Sequence, residues 1–216
     1  KVHESIDTVI PDLAESWSWD PTNTRLTFRL HHGVKWHDGQ PFTAKDVQCT
    51  WRMLIGKSET QESKTQDFKR NPRKVWYTKL RDVSINGDDE ATFELTEPQP
   101  GLLALLASAF SVVYPCHVPQ QVMRTKPVGT GPFKFVEFKA NESIKLTRNT
   151  DYWRKGRPYL DGIEFTIIPN RSTAILAFVA GKFDMTFPTE VSIPLLKDVK
   201  SQAPSAICEV EPNNVA

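Results

Sequence analysis

The sequence has no run of about 20 apolar residues, the length a helix needs to cross the hydrocarbon of a bilayer. Its longest apolar stretch, Leu102 to Ala109, has the length of a core helix. There is no Cys-x-x-Cys pair, and the three cysteines, Cys49, Cys116 and Cys208, lie far apart. That spacing argues against a zinc site or a dithiol redox motif. It reads as three separate buried thiols, with a Cys49–Cys116 bridge conceivable in an oxidising compartment. Charge of one sign is missing too: 27 Lys and Arg stand against 26 Asp and Glu. No global field therefore draws nucleic acid or an anionic membrane, and neither is expected as a partner. The local basic stretch from Lys69 to Lys74 reads as a solvated loop. No basic stretch followed by an apolar one stands at the start, so the compartment must be read from other features.

Nucleophile motifs are also lacking. There is no Gly-x-Ser-x-Gly turn, and nothing in the sequence sets a fixed separation between carboxylates such as Asp184 and Glu190. Among the histidines, only His31, His32 and His37 have a spacing that invites a metal. His31 and His32 are adjacent in what reads as a strand, so their side chains point to opposite faces and do not converge on one ion. The expectation is no catalytic residue, no metal and no cofactor.

What is present is a globular composition: 216 residues, 39% hydrophobic and 25% charged, enough for one large or two small domains. Leu26, Phe28 and Leu30 alternate with Arg25, Thr27 and Arg29, which predicts a half-buried strand. A turn-rich stretch from Trp36 to Pro41 follows, in which Asp38-Gly39 offers the positive φ of a tight reversal. Thr43 and Asp46 predict a helix start. Val47, Trp51 and Leu54 then form one apolar stripe up to Gly56. Residues from Lys57 to Lys74 show no apolar period and read as a long exposed loop.

Val83 and Ile85, the turn Asn86-Gly87-Asp88-Asp89, and Phe93 and Leu95 predict a hairpin. Pro98 and Pro100 introduce a helix pattern carrying Leu102, Leu103, Leu105, Leu106 and Phe110, whose leucines read as core. Pro and Gly crowd between Tyr114 and Pro132, where a domain junction is expected. A second hairpin is predicted over Phe133–Phe138 and Ser143–Arg148, then a strand at Ile163–Ile168. A helix capped by Ser172 comes next, followed by a helix at Ile193–Val199 and a strand at Ala206–Val210.

These motifs, taken in order, resemble one family. They are Pro11-Asp12-Leu13-Ala14-Glu15-Ser16-Trp17, Thr27-Phe28-Arg29-Leu30, and the run from Gly33 through Trp36-His37-Asp38-Gly39-Gln40-Pro41-Phe42-Thr43-Ala44-Lys45-Asp46-Val47. Downstream come Val128-Gly129-Thr130-Gly131-Pro132-Phe133, Arg148-Asn149-Thr150-Asp151-Tyr152-Trp153 and Gly181-Lys182-Phe183-Asp184-Met185. Their order and spacing resemble the cluster 5 solute-binding proteins of ABC importers, which include oligopeptide-, dipeptide- and nickel-binding members.

The resemblance implies an α/β architecture with α+β character, of the class II periplasmic binding protein type. Only part of it is expected here, since the family's chains are considerably longer. Residues 1–118 would be the family's extra domain and residues 119–216 part of the first ligand-binding lobe, with the second lobe absent. It also implies a periplasmic or otherwise extracytoplasmic monomer, with lipid anchoring left open. Such a protein captures a peptide or peptide-like ligand by lobe closure and delivers it to the permease subunits of an ABC transporter. A nickel chelate, an oligosaccharide or another solute is the alternative cargo. A ligand sensor or adhesion protein coupled to a receptor is the alternative of another class.

Gly129, Thr130 and Gly131 are the first candidates for ligand contact. The two glycines allow the backbone to approach something closely, either a ligand or a hinge, and Thr130 offers a short hydroxyl at the same spot. Tyr152 and Trp153 either line a cleft or form a core pair. Trp17, Trp36 and Phe42 read as packing anchors, each contributing about 1.5 to 3 kcal/mol when fully buried.

Overall fold

Alternating apolar residues in Arg25–Leu30 place Leu26 and Leu30 in the core and leave Arg25 and Arg29 at the surface. This strand, β2, pairs antiparallel on one side with β1 (Ala14–Trp19). On the other side it pairs with β4 (Glu90–Leu95), which itself pairs with β3 (Leu80–Asn86). The computed structural model, which describes residues 9–57, 72–187 and 191–208, thus contains a four-stranded antiparallel sheet in the order β1-β2-β4-β3. Gly87, at φ +67°, turns the β3–β4 hairpin. The expected loop from Lys57 to Lys74 falls largely outside the described residues, and Pro72–Tyr77 forms a short 3-10 helix.

One helix covers this sheet. In α1 (Ala44–Ile55) the stripe of Val47 and Trp51 is buried and Leu54 packs at its edge. Trp51 meets Phe93 edge-on at 5.0 Å between ring centroids, and Phe28 approaches the same phenylalanine at 5.6 Å. Aromatic pairs favour such edge contacts because the positive ring edge faces the negative ring face. At the other end Gly56, at φ +82°, closes the helix in the left-handed conformation, which costs glycine little because it carries no Cβ.

The start of α1 is held more elaborately. Thr43 and Asp46 form a capping box, with the Thr43 amide donating to Asp46 Oδ2 at 3.0 Å. Trp36 Nε1 donates to the same oxygen at 3.2 Å, and the Cys116 amide donates to Asp46 Oδ1 at 3.2 Å. A carboxylate only 6% exposed is tolerated here because its oxygens receive N–H donors at the positive end of a helix. One turn further on, the Tyr114 amide donates to Thr50 Oγ1 at 2.9 Å. These contacts lay the chain of Tyr114–Cys116 along α1, and Cys49 and Cys116 are joined by a disulfide with their Cα atoms 6.3 Å apart. The reading of three separate thiols is therefore corrected: only Cys208 is free. Sequence spacing carries no trace of this pairing, because docking of the 114–116 segment brings the sulfurs together.

After the leucine-rich α2 (Leu102–Leu106) and the single-turn α3 (Gln120–Met123), a second sheet forms. It comprises β5 (Phe133–Lys139), β6 (Ser143–Arg148) and β7 (Gly162–Thr166), in that order. Helices α4 (Arg171–Val179) and α5 (Ile193–Gln202) complete the chain's regular structure.

Several expectations need correction. The first leucine helix stops at Leu106, and Phe110 lies beyond it, 54% exposed and against Trp76. Asn170, not Ser172, caps α4, its Oδ1 accepting from the Thr173 amide at 3.0 Å. Both residue types cap helices, and the one two positions earlier took the site. No strand forms over Ala206–Cys208, and the remaining two residues of that expected strand lie outside the described set.

The chain divides into two compact units. The first comprises residues Lys1–Val136 and Leu146–Ile163, the second Glu137–Lys145 and Glu164–Ala216. The division runs through all three strands of the second sheet. In the first unit the core assembles Leu26, Val34, Trp36, Phe42, Trp51, Val83, Phe93 and Leu102 with their neighbours. In the second, Ala174, Ile175 and Val199 are the buried hydrophobic residues among those described.

Candidate functional site

The turn after Val34 forms as its sequence predicts. Gly39 adopts φ +90°, its amide donates to the Trp36 carbonyl at 2.9 Å, and the Trp36 amide donates to the Gln40 carbonyl at 2.8 Å. With Trp36 buried against Phe42, the turn is rigidly seated and presents the next residue, His37, toward Gly129–Gly131.

Three hydrogen bonds join them. The His37 amide donates to the Gly129 carbonyl at 2.8 Å, the Gly129 amide donates to His37 Nδ1 at 3.2 Å, and His37 Nε2 lies 3.0 Å from the Gly131 carbonyl oxygen. A Cβ on Gly129 would stand 3.3 Å from His37 Cε1. A side chain at the first glycine would press on the imidazole by a few tenths of an ångström, and within this chain the close approach is made to His37. Asn149 grips the same segment from the other side. Only 2% exposed, it donates from Nδ2 to the Gly131 carbonyl at 3.0 Å and from its amide to the Pro132 carbonyl at 2.8 Å. Its Oδ1 accepts from the Asp151 amide at 3.1 Å. Thr130 is left half-buried between two fixed glycines.

Burial drives the His37 imidazole toward the neutral form, and Lys134 adds to that. The hydrogen bond to the Gly131 carbonyl and the neighbouring Asp38 oppose it, and the net result is a pKa below the usual histidine value. Asp38 is turned the other way, to His117, whose Nε2 lies 2.7 Å from its carboxylate. Burial raises the Asp38 pKa, but the His117 contact and the Gln40 amide outweigh it, so the carboxyl sits below its ordinary range.

Tyr152 and Trp153 follow directly from the Asn149 turn, the Tyr152 amide donating to the Asn149 carbonyl at 3.2 Å. Their rings touch at 5.6 Å. Trp153 lies 4.7 Å from the His31 ring, carries the Arg154 guanidinium 4.7 Å over its face, and packs against the core. Arg154 in turn pairs with Asp12 at 2.6 Å. Desolvation by burial raises the Tyr152 pKa above that of a free phenol. Asn149 thus connects the two sets of site residues, which otherwise rest on different partners.

The histidines do not converge, although the reason differs from that expected. β2 ends at Leu30, so His31 and His32 lie beyond the strand. His31 faces Glu15 and Trp153, His32 faces Asp89 at 3.0 Å, and His37 is engaged with the glycines. Sequence reasoning missed His37 and Asn149 as anchors, although both lie inside the motifs Trp36-His37-Asp38-Gly39 and Arg148-Asn149-Thr150-Asp151. The signal was a polar residue embedded in a turn motif with no packing duty of its own.

The chain belongs to the bacterial extracellular solute-binding proteins, family 5, whose middle-region model matches residues 8–213. Among its relatives, the oligopeptide-binding protein AppA of Bacillus subtilis is 34% identical over 179 residues, covering 78% of this chain and 31% of the relative. The structure of that protein in complex with a nonapeptide superposes with a TM-score of 0.65 at 33% identity, over 80% of this chain and 34% of that one. The dipeptide-binding protein DppE of the same organism is 28% identical over 199 residues, 86% of this chain and 36% of the relative. NikZ from Campylobacter jejuni, in complex with Ni(L-His), matches with a TM-score of 0.66 at 25% identity, over 81% of this chain and 34% of that one. The fold is thus a partial class II periplasmic binding protein, and the chain spans about a third of the length of the relatives it matches.

Proposed function

We propose that the protein carrying this chain is the solute-binding component of an ABC importer, capturing a peptide or peptide-like ligand by lobe closure and delivering it to permease subunits. Residues 1–118 serve as the family's extra domain and residues 119–216 as part of the first ligand-binding lobe. Gly129, Thr130 and Gly131 face the ligand, with Tyr152 and Trp153 at the edge of the same surface. The observation that carries this reading is the likeness to oligopeptide- and dipeptide-binding relatives over most of the chain. A glycine-rich segment held in one conformation supports it, because preorganised backbone avoids the entropic cost of ordering on binding. No chemistry is done on the cargo, and the protein acts as a monomer outside the cytoplasm. The Cys49–Cys116 disulfide suits an oxidising compartment.

A second cargo reading rests on the likeness to a nickel-chelate complex. One fold hosts many ligands, so the test must identify the ligand itself. The full-length protein, purified gently from its host, is analysed by native mass spectrometry with denaturing release. A heterogeneous set of short peptides is the expected result. A single metal chelate or sugar would move the cargo to the second reading, and a covalently altered product released on turnover would overturn the binding-protein assignment.

A further inference from the structure

The two hydrogen bonds at the His37 ring leave one arrangement of protons. The Gly129 amide can only donate, so Nδ1, which receives it at 3.2 Å, carries no hydrogen. The Gly131 carbonyl can only accept, so Nε2, 3.0 Å away, carries one. We propose that His37, as the neutral tautomer protonated on Nε2, is the positioning residue that fixes Gly129–Thr130–Gly131 for ligand, and that protonation of Nδ1 releases the Gly129 amide.

The geometry makes the release one-sided. Adding a proton to Nδ1 leaves the Nε2 donation to Gly131 intact and sets a second N–H against the Gly129 amide, donor against donor. The Gly129 amide would have to turn away from the ring, its carbonyl still held by the His37 amide at 2.8 Å, while Gly131 stays tethered by Asn149 Nδ2 at 3.0 Å. The change therefore concentrates on Gly129 and Thr130. The charged and titratable groups around the ring are Asp38 beside it in the turn, His117 paired with Asp38, and Lys134 on β5. Asp38 favours the charged imidazole and Lys134 opposes it. The Asp38 carboxylate is already engaged by His117. Burial of the ring, with Lys134, keeps it neutral until the solution is more acidic than an exposed histidine requires.

The inference that the held segment serves a ligand rests on the function proposed above, but the latch itself can be read without ligand. The test uses the full-length protein, with imidazole nitrogen signals and the Gly129 amide followed by NMR from about pH 8 to about pH 5. The expected result is a bare Nδ1 and a protonated Nε2 at the upper end, with Gly129 protection, measured against the intrinsic exchange rate at each pH, falling as Nδ1 gains its proton. In His37→Phe, Gly129 exchange should be faster by about tenfold or more at the upper end of the range, since the ring no longer accepts the amide, and the difference from wild type should close as wild-type Nδ1 gains its proton. In His37→Gln the side-chain amide supplies an acceptor and a donor without titrating. That variant should restore protection and abolish its pH dependence.

A proton on Nδ1 at neutral pH would overturn the proposal, as would Gly129 protection, corrected for the intrinsic exchange rate at each pH, that is unchanged in His37→Phe at the upper end of the range or still pH-dependent in His37→Gln. Calorimetry with a synthetic mixed tetrapeptide library adds the ligand arm. Loss of affinity in His37→Phe, recovered in His37→Gln, supports positioning. Equal affinity in wild type and His37→Phe overturns it. If the wild type binds no tetrapeptide, the peptide reading has failed, and the latch stands or falls on the nitrogen and amide signals alone.

Discussion

The two compact units of the chain are built to different standards. The first gathers aromatic and aliphatic residues from four strands, a capped helix and a disulfide around Phe93, which is 2% exposed. Both units leave large apolar residues exposed, Trp76, Phe110 and Leu160 in the first and Phe138, Leu176 and Met185 in the second, but among its described residues the second has just Ala174, Ile175 and Val199 as buried hydrophobics. Since ordering each residue costs about 1 to 2 kcal/mol of backbone entropy, burial on the scale of the first unit is what sustains an independent fold. The second unit's apolar inventory is present in the sequence but not used to the same extent among the described residues. Hydrophobic content alone does not reveal where a chain holds itself together.

All six tryptophans lie in the first unit, so their fluorescence reads that unit selectively, and the comparison can be broken there. The largest effect is expected from Phe93→Ala, which removes the ring between Trp51 and Phe28. Urea unfolding should show a loss of about 3 to 5 kcal/mol. Ile175→Ala in the second unit should leave the fluorescence transition in place. An equal shift would mean that the units unfold as one.

Next in size is the disulfide. Replacing Cys49 and Cys116 together by serine opens a bridge across 67 residues of sequence and should cost the first unit about 2 to 4 kcal/mol, with the denaturation midpoint as readout. Asp46→Ala follows at about 2 to 3 kcal/mol, because Trp36 Nε1 and the amides of Thr43 and Cys116 lose their shared acceptor. Asp46→Asn, keeping one acceptor oxygen, should lose less. Identical losses for the two would point to charge in place of hydrogen bonding.

The smallest effect is acid sensitivity, and it comes in two windows. His37 has a folded pKa below its unfolded value near 6.5, so the unfolded chain takes up the proton first. Its contribution is complete above about pH 6.5 and is lost as pH falls through the folded value. Asp82 and Glu94 are also held below their ordinary values, Asp82 chiefly by the hydrogen bond from Arg52 and Glu94 chiefly by that from Arg81. Their contribution persists to lower pH and is lost as the solution is acidified below about pH 4. His37→Gln should remove the first window and leave the second. A fluorescence-monitored stability curve against pH checks both.

Much of the first unit was legible because its signals are local. The alternation in Arg25–Leu30, the Thr43–Asp46 cap, the stripe through Trp51 and the Gly87 turn each declare their structure within a few residues. Where local signals compete or run out, reading failed. Asn170 and Ser172 are both capping types, and chain geometry chose between them. The leucine helix ended before Phe110, whose ring lies beyond it against Trp76 and Arg73. At the candidate site the glycines were visible, but the residues that hold them were not.

The family motifs, strand β2, the β3–β4 hairpin, helix α1 and the close approach at Gly129 were all written in the linear sequence. All of these follow from residue type and spacing along the chain. Packing in three dimensions brings Cys49 to Cys116, sets His37 and Asn149 on the Gly131 carbonyl, and turns His31, His32 and His37 to separate partners. Each of those contacts joins residues separated by at least one intervening element or turn. Hydrogen bonds and disulfides depend on distances of a few ångströms in space, and sequence separation does not record such distances.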